Sequence, residues 1–148
     1  MEQQDILSMT LPELQAAVQE LGEPKFRAKQ IFNWLHQKRV TDFSEMTTLS
    51  LPFRERLASD FCINRLKIAK RLASSVDDTV KYLYELPDGN YVETVCMQYH
   101  HGTSLCISTQ VGCRMGCRFC ASAIAGFVRN LTPAEMLLQI YETERAQN

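Results

Sequence analysis

Gly112-Cys113-Arg114-Met115-Gly116-Cys117-Arg118-Phe119-Cys120 is the stretch on which the reading of this chain turns. Three cysteines stand at spacings of four and three in a glycine-bearing loop that runs from Gln110 to about Gly126. Thr103-Ser104-Leu105-Cys106-Ile107-Ser108, a β-prone run, precedes it. Thr132-Pro133-Ala134-Glu135 follows, with a cap threonine, a first-turn proline and a capping-box glutamate, and opens a helix carrying Leu137, Leu138, Ile140 and Tyr141. Strand, loop, helix is one unit of a parallel α/β fold, and one unit cannot bury both faces of its strand. The chain therefore reads as the front portion of a longer enzyme.

Three thiolates on a four-iron, four-sulfur cube leave one iron without a protein ligand, an open position that reaction chemistry needs. Gly112 and Gly116 can take backbone conformations closed to other residues, so the loop can wrap a compact metal centre. Phe119 is placed to shield it, and Arg114, Arg118 and Arg129 make the loop positive. Zinc is the competing reading, with Cys106 or the His100-His101 pair as fourth ligand of a non-catalytic, zinc-stabilised RNA-binding module. Buried or redox cysteines are a third reading, and the residues alone leave all three open.

Upstream, period two gives Leu66, Ile68 and Leu72 as one strand and Val80 to Leu86 as a second. Pro87-Asp88-Gly89-Asn90 is a turn, and Tyr91 to Tyr99 returns as a third strand. Strand phase places Glu93 with Tyr91, Val95 and Met97, on an otherwise apolar side. A carboxylate facing a core is costly unless paired or functional, so Glu93 reads as catalytic or as an exposed ion-pair member. Tyr82, Tyr84 and Tyr99 read as cross-strand packing in preference to base stacking.

Residues 1 to about 60 read as helical. Thr10-Leu11-Pro12-Glu13 opens a helix that Gly22 stops, a second runs from about Lys25 to Gln37, and a third begins near Ser50-Leu51-Pro52. Trp34 and Phe32 read as packing. Lys25, Arg27, Lys29, Lys38 and Arg39 follow one another with no acidic residue between them, either as a solvated helical face or as contacts to an RNA backbone. The fold class is α+β: a small helical domain at 1–60, a linker and β-hairpin at 61–102, and from 103 to 148 the first strand–loop–helix of a larger domain.

Composition excludes other classes. With 148 residues, 45% of them hydrophobic and 22% charged, the chain is neither disordered nor low in complexity. Its formal charge of −1 makes no case by itself for a polyanion partner. No apolar run reaches membrane-spanning length and the N-terminus is polar, so the expected compartment is the cytoplasm. Four of six cysteines fall between 106 and 120, which fits a ligand cluster better than a disulfide framework.

The CxxxCxxC spacing resembles the radical S-adenosylmethionine (SAM) superfamily. The wider stretch from Leu105 to Cys120, with Gly126-Phe-Val-Arg-Asn-Leu-Thr132 and Pro24-Lys-Phe-Arg-Ala-Lys-Gln-Ile-Phe-Asn-Trp-Leu-His36, resembles the RlmN/Cfr family of RNA methyltransferases. Gln110-Val111-Gly112 and Phe127-Val128 look like the RlmN branch, which methylates adenine C2 in 23S rRNA and certain tRNAs. The Cfr branch acts on C8. Ser122 and Ala123 depart mildly from the residues that follow the third cysteine in many relatives.

By that resemblance 103–148 begins a partial, truncated (β/α) radical SAM barrel, and Cys113, Cys117 and Cys120 hold a [4Fe-4S] cluster whose open iron binds SAM. The resemblance makes Glu93 the proton acceptor. It makes Cys106 the partner in a transient disulfide with a methyl-carrying cysteine near the C-terminus, a context that neither Cys62 nor Cys96 supplies. It implies 23S rRNA and tRNA as partners, an external electron donor such as a flavodoxin-type protein, no membrane and a monomer. A chain without the methyl-carrying cysteine is expected not to turn over.

Overall fold

The computed structural model describes residues 2–115, 118 and 126–147. The chain divides into two compact units, 1–64 and 65–148.

In the first unit β1 (Gln4–Asp5) leads into α1 (Leu11–Glu20), α2 (Phe26–His36) and α3 (Leu51–Asp60), and β2 (Phe61–Cys62) pairs parallel with β1. Thr10 and Glu13 form the expected capping box. Gly22 ends α1 at φ +83° with the Glu23 N–H bonded back to the Val18 carbonyl, a left-handed C-terminal turn that favours glycine. Leu14 and Val18 of α1, Ala28, Ile31 and Leu35 of α2, and Phe53 and Leu57 of α3 are buried. Amphipathic spacing made these short helices legible; their shared core holds them.

In the second unit β3 (Lys67–Ala73), β4 (Val80–Glu85), β5 (Tyr91–Tyr99) and β6 (Gly102–Cys106) form one antiparallel sheet in chain order. A small ladder of β7 (Gln110–Val111) with β8 (Arg129–Asn130) follows, then α4 (Pro133–Gln147). Residues 61–64 fall in the helical unit and 65–102 build the body of the sheet, where the sequence reading places a linker and hairpin. The β-prone run also differs from expectation. β6 is the antiparallel edge partner of β5, tied by a tight turn at His100-His101, so it does not open a parallel unit among the described residues. That short turn permits only antiparallel return, since a parallel neighbour needs a long crossover.

One face of the sheet is covered and the other is open. Val80, Tyr82, Tyr84, Val92, Thr94 and Cys96 are buried. The Tyr84 hydroxyl lies 2.7 Å from Thr143 Oγ1, and Gln147 Nε2 donates to the Tyr82 hydroxyl at 2.7 Å, which sets α4 against this face. Tyr82 and Tyr84 therefore pack, as read, and burial pushes the Tyr84 phenol up to about 12.

Candidate active site

The open face carries the candidate chemistry. Cross-strand partners point to the same side of a sheet, and Leu83 pairs with Glu93, Lys81 with Val95, and Val95 with Cys106. The Cys106 side chain thus lies diagonal to Glu93, about 7–8 Å away by ladder geometry. Both line an open cavity of about 420 Å³, together with Tyr91, Ser108, Gly112 and Val128. That volume is in the range of small-molecule sites.

Glu93 does not face a core. It is half exposed, and Lys81 Nζ sits 3.0 Å from its carboxylate. Glu93 does share its strand face with Tyr91, Val95 and Met97, and that face is the open one. Cys106 is exposed, so its position does not call for a small buried hydrophobe.

The cysteine loop springs from a closed neck. Gly112 at φ +75° and Gly126 at φ +76° cross so tightly that a Cβ on Gly112 would overlap the Gly126 carbonyl oxygen. Cys113 N–H donates to that same oxygen at 3.3 Å, and Val128 N–H donates to the Val111 carbonyl at 2.9 Å. Gly112 and Gly126 form a wall of the cavity that Glu93 and Cys106 line from the sheet side. Of the three expected cluster ligands, Cys113 is half buried at this neck, while Cys117 and Cys120 lie outside the described residues, as do Gly116, Phe119, Ser122 and Ala123. Arg114 stacks its guanidinium 4.0 Å over the Phe127 ring, and Arg118 is exposed.

Arg129 has a different task from the one its charge suggested. Its Nη1 and Nη2 donate to the two Glu135 oxygens at 2.8 Å and its Nε to Asp88 at 2.9 Å. It thereby ties the β4–β5 turn and the first turn of α4 to the root of the loop. Glu135 also completes the Thr132 capping box. Arg129 holds Asp88 down at about 2, first by hydrogen bonding. Burial pushes Glu135 up, and the bonds from Arg129 and Thr132 outweigh it, leaving Glu135 below its ordinary value.

Gln139 escaped the sequence reading. It is fully buried on α4, accepts from Thr94 Oγ1 at 2.9 Å and Ser108 N–H at 2.8 Å, and donates to the Ser108 carbonyl at 2.8 Å. The Ser108 hydroxyl in turn donates to the Glu93 carbonyl at 2.7 Å. One amide thus fixes the segment between Cys106 and the loop. A polar residue amid Leu138 and Tyr141 was the available signal.

The two fourth-ligand candidates of the zinc reading stand apart. His100 and His101 lie at the β5–β6 turn, at the other end of β6 from Cys106, roughly 14 Å along the strand at about 3.4 Å per residue. Among the described residues no three His, Cys, Asp or Glu side chains converge as a metal site. Cys62, Cys96, Cys106 and Cys113 are free thiols; burial raises the first two above the usual thiol range.

In the helical unit Lys25, Lys29 and Lys38 are exposed, Lys38 with its ammonium 3.9 Å over the Trp34 ring. Arg27 is engaged with Glu23 and Gln30, and Arg39 adopts φ 55° just before buried Val40. Trp34 also donates to Thr48 at 2.8 Å, as a packing residue would.

Residues 4–63 match the ribosomal RNA large subunit methyltransferase N-terminal domain family. The chain is 56% identical over 144 residues to a probable dual-specificity RNA methyltransferase RlmN of Lachnoclostridium phytofermentans and 54% identical over 140 residues to one of Alkaliphilus oremlandii. Each alignment covers 95% of this chain. This chain belongs to the RlmN family. It spans about 40% of the length of these RlmN relatives. A radical SAM methyltransferase from Sphaerobacter thermophilus superposes with a TM-score of 0.85 at 34% identity, covering 98% of this chain and 44% of that one. The mixed helix-and-sheet architecture is thus shared with a radical SAM methyltransferase. Among the described residues no helix is long and apolar enough to cross a membrane.

Proposed function

We propose that this chain forms the RNA-contacting and initial catalytic part of a cytoplasmic radical SAM methyltransferase that methylates adenine C2. Its substrates are 23S rRNA at adenosine 2503 and tRNA at adenosine 37. The observation that carries this reading is the shared cavity, in which an exposed thiol, Cys106, and a half-exposed carboxylate, Glu93, face the neck of the cysteine loop.

Cys113, Cys117 and Cys120 are a soft three-thiolate donor set, the chemistry that suits an iron–sulfur cluster. The glycine crossing at 112 and 126 closes the loop at its base, as a loop wrapped on a compact group requires. When bound, a [4Fe-4S] cluster supplies the electron for reductive cleavage of SAM, the radical chemistry that ordinary nucleophilic methyl transfer cannot replace at adenine C2. A flavodoxin-type protein is the proposed electron donor, and the proposed enzyme is a monomer.

The chain's own groups finish the reaction. Glu93 takes the proton from C2 once the base is joined to a methylated cysteine lying outside this chain. Cys106, as thiolate, then attacks that cysteine's sulfur: the S–S bond forms as the S–CH2 bond breaks, and the methylene carbon keeps the bonding pair and takes up a proton to become the methyl group of the released base. Exposure of Cys106 gives the access that thiol–disulfide exchange needs. The target base reaches the cavity unpaired, out of its stack.

Cys106→Ala and Cys106→Ser in the full-length protein test this reading, with RNA analysed by nuclease digestion and peptide mass spectrometry. Both variants are expected to keep iron and sulfide and to accumulate RNA joined covalently to protein. Normal release of methylated RNA by both would overturn the role of Cys106. One zinc per chain, with no iron–sulfur cluster after anaerobic reconstitution, would overturn the radical reading and favour the zinc-stabilised module. Methylation at C8 would assign the Cfr-type reaction.

A further inference from the structure

Edge strands expose a row of unpaired backbone groups and are commonly blunted by charge or by a bulge. β3 is the edge of the four-stranded sheet, is exposed at all seven residues, and has both devices. Lys67 and Lys70 are three residues apart, so regular alternation would send them to opposite faces. The register instead shifts between Ile68 and Lys70: Lys67 pairs with Glu85 and Lys70 with Leu83, two residues apart on β4. The bulge therefore returns both lysines to one face. It is the open face, because Leu83 pairs with Glu93 and Glu85 with Tyr91. Bulges that re-aim a side chain recur beside active sites.

Three observations describe this face beyond the reacting groups. Neither Lys67 nor Lys70 forms an ion pair among the described residues, whereas Lys81 is held by Glu93. The lysines stand roughly 7 Å apart along the strand, a separation comparable to successive phosphates of an unstacked single strand. Tyr91 is 51% exposed and lines the cavity, in the same cross-strand row as Lys67 and Glu85 and two residues from Glu93 on β5. From β3 to β6 is three strand spacings, about 14 Å.

We propose that the open face is a track for the single-stranded RNA flanking the reacting adenine. Lys67 and Lys70 bind its phosphates, and Tyr91 stacks a neighbouring base. The bulge is the device that makes the track, since without it one of the two lysines would point away. The proposal rests on the RNA methyltransferase reading above, and goes further by assigning the surface on which the substrate strand lies. A positive rim with an aromatic platform suits single strands, which offer both phosphates and unstacked π-faces.

The test is binding, without SAM, of a fluorescently labelled RNA stem-loop with an adenine in its loop, measured by anisotropy across a salt titration in the full-length protein. Lys67→Gln with Lys70→Gln is expected to lower the salt slope by about 1.4, two single-strand phosphates at roughly 0.7 each. Tyr91→Ala is expected to weaken binding roughly 5- to 150-fold while Tyr91→Phe retains it. Arg71→Gln is the control, because Arg71 pairs with Tyr82 and belongs to the other face. Unchanged affinity and slope in the lysine double variant, with the parent still binding, would overturn the track and leave the methyltransferase reading standing. An equal loss in Arg71→Gln would also overturn it, as general electrostatics. A change in sedimentation without a change in RNA affinity would assign β3 to pairing with a second copy, and overturn it too. A parent that binds no RNA would sink both readings together.

Discussion

Gly112 and Gly126 meet at the base of the cysteine loop with no room for a Cβ on Gly112, while a Cβ on Gly126 would find open space. Both have positive φ, so alanine is strained at either position by about 1–2 kcal/mol. Only at Gly112 does a backbone clash add to that strain. Gly112→Ala is therefore expected to be the more damaging, lowering iron and sulfide content after reconstitution. Gly126→Ala should cost about 1–2 kcal/mol in a thermal melt and leave the cluster content near that of the parent. Equal effects would mean that the crossing does not govern the loop.

Arg129 links stability to acid. Asp88 and Glu135 have folded pKa values below their ordinary values of 3.8 and 4.5, so each contributes stability above those values and loses it as pH falls through the folded one. The contribution is thus complete at neutral pH and declines from about 4.5 to about 2. Arg129→Gln should flatten that acid limb of a melting-temperature profile. At neutral pH it should destabilise by about 2 kcal/mol, less than the 3–5 of a fully buried pair because Asp88 is 43% exposed. An unaltered acid limb would refute the linkage.

Gln139→Leu removes partners from the Ser108 backbone and Thr94 without creating a large cavity. Leaving buried polar groups unmet costs about 1–3 kcal/mol each, so a loss of about 3 kcal/mol is expected in denaturant unfolding. The Ser108 amide should lose hydrogen-exchange protection, a readout that a simple packing defect elsewhere on α4 would not move. Retained protection would mean that Gln139 does not hold this segment.

Local devices were legible along the chain because their partners lie a few residues apart. The Thr10–Glu13 and Thr132–Glu135 capping boxes, the Gly22 stop and the 87–90 turn all appear where the sequence places them. Period two located β3, β4 and β5, and the flanks of the cysteine loop carried the family. Tertiary structure decided what alternation leaves open, namely which face of each strand is covered. Glu93 lies on the open side because α4 packs on the other, through Tyr84–Thr143 and Thr94–Gln139 contacts 59 and 45 residues apart. Distance along the chain also hid the Arg129 clamp, whose Asp88 partner is 41 residues away. A charge in a sequence names what a side chain can pair with; only the packed fold brings one partner within 3 Å and leaves another, such as Lys70, facing solvent.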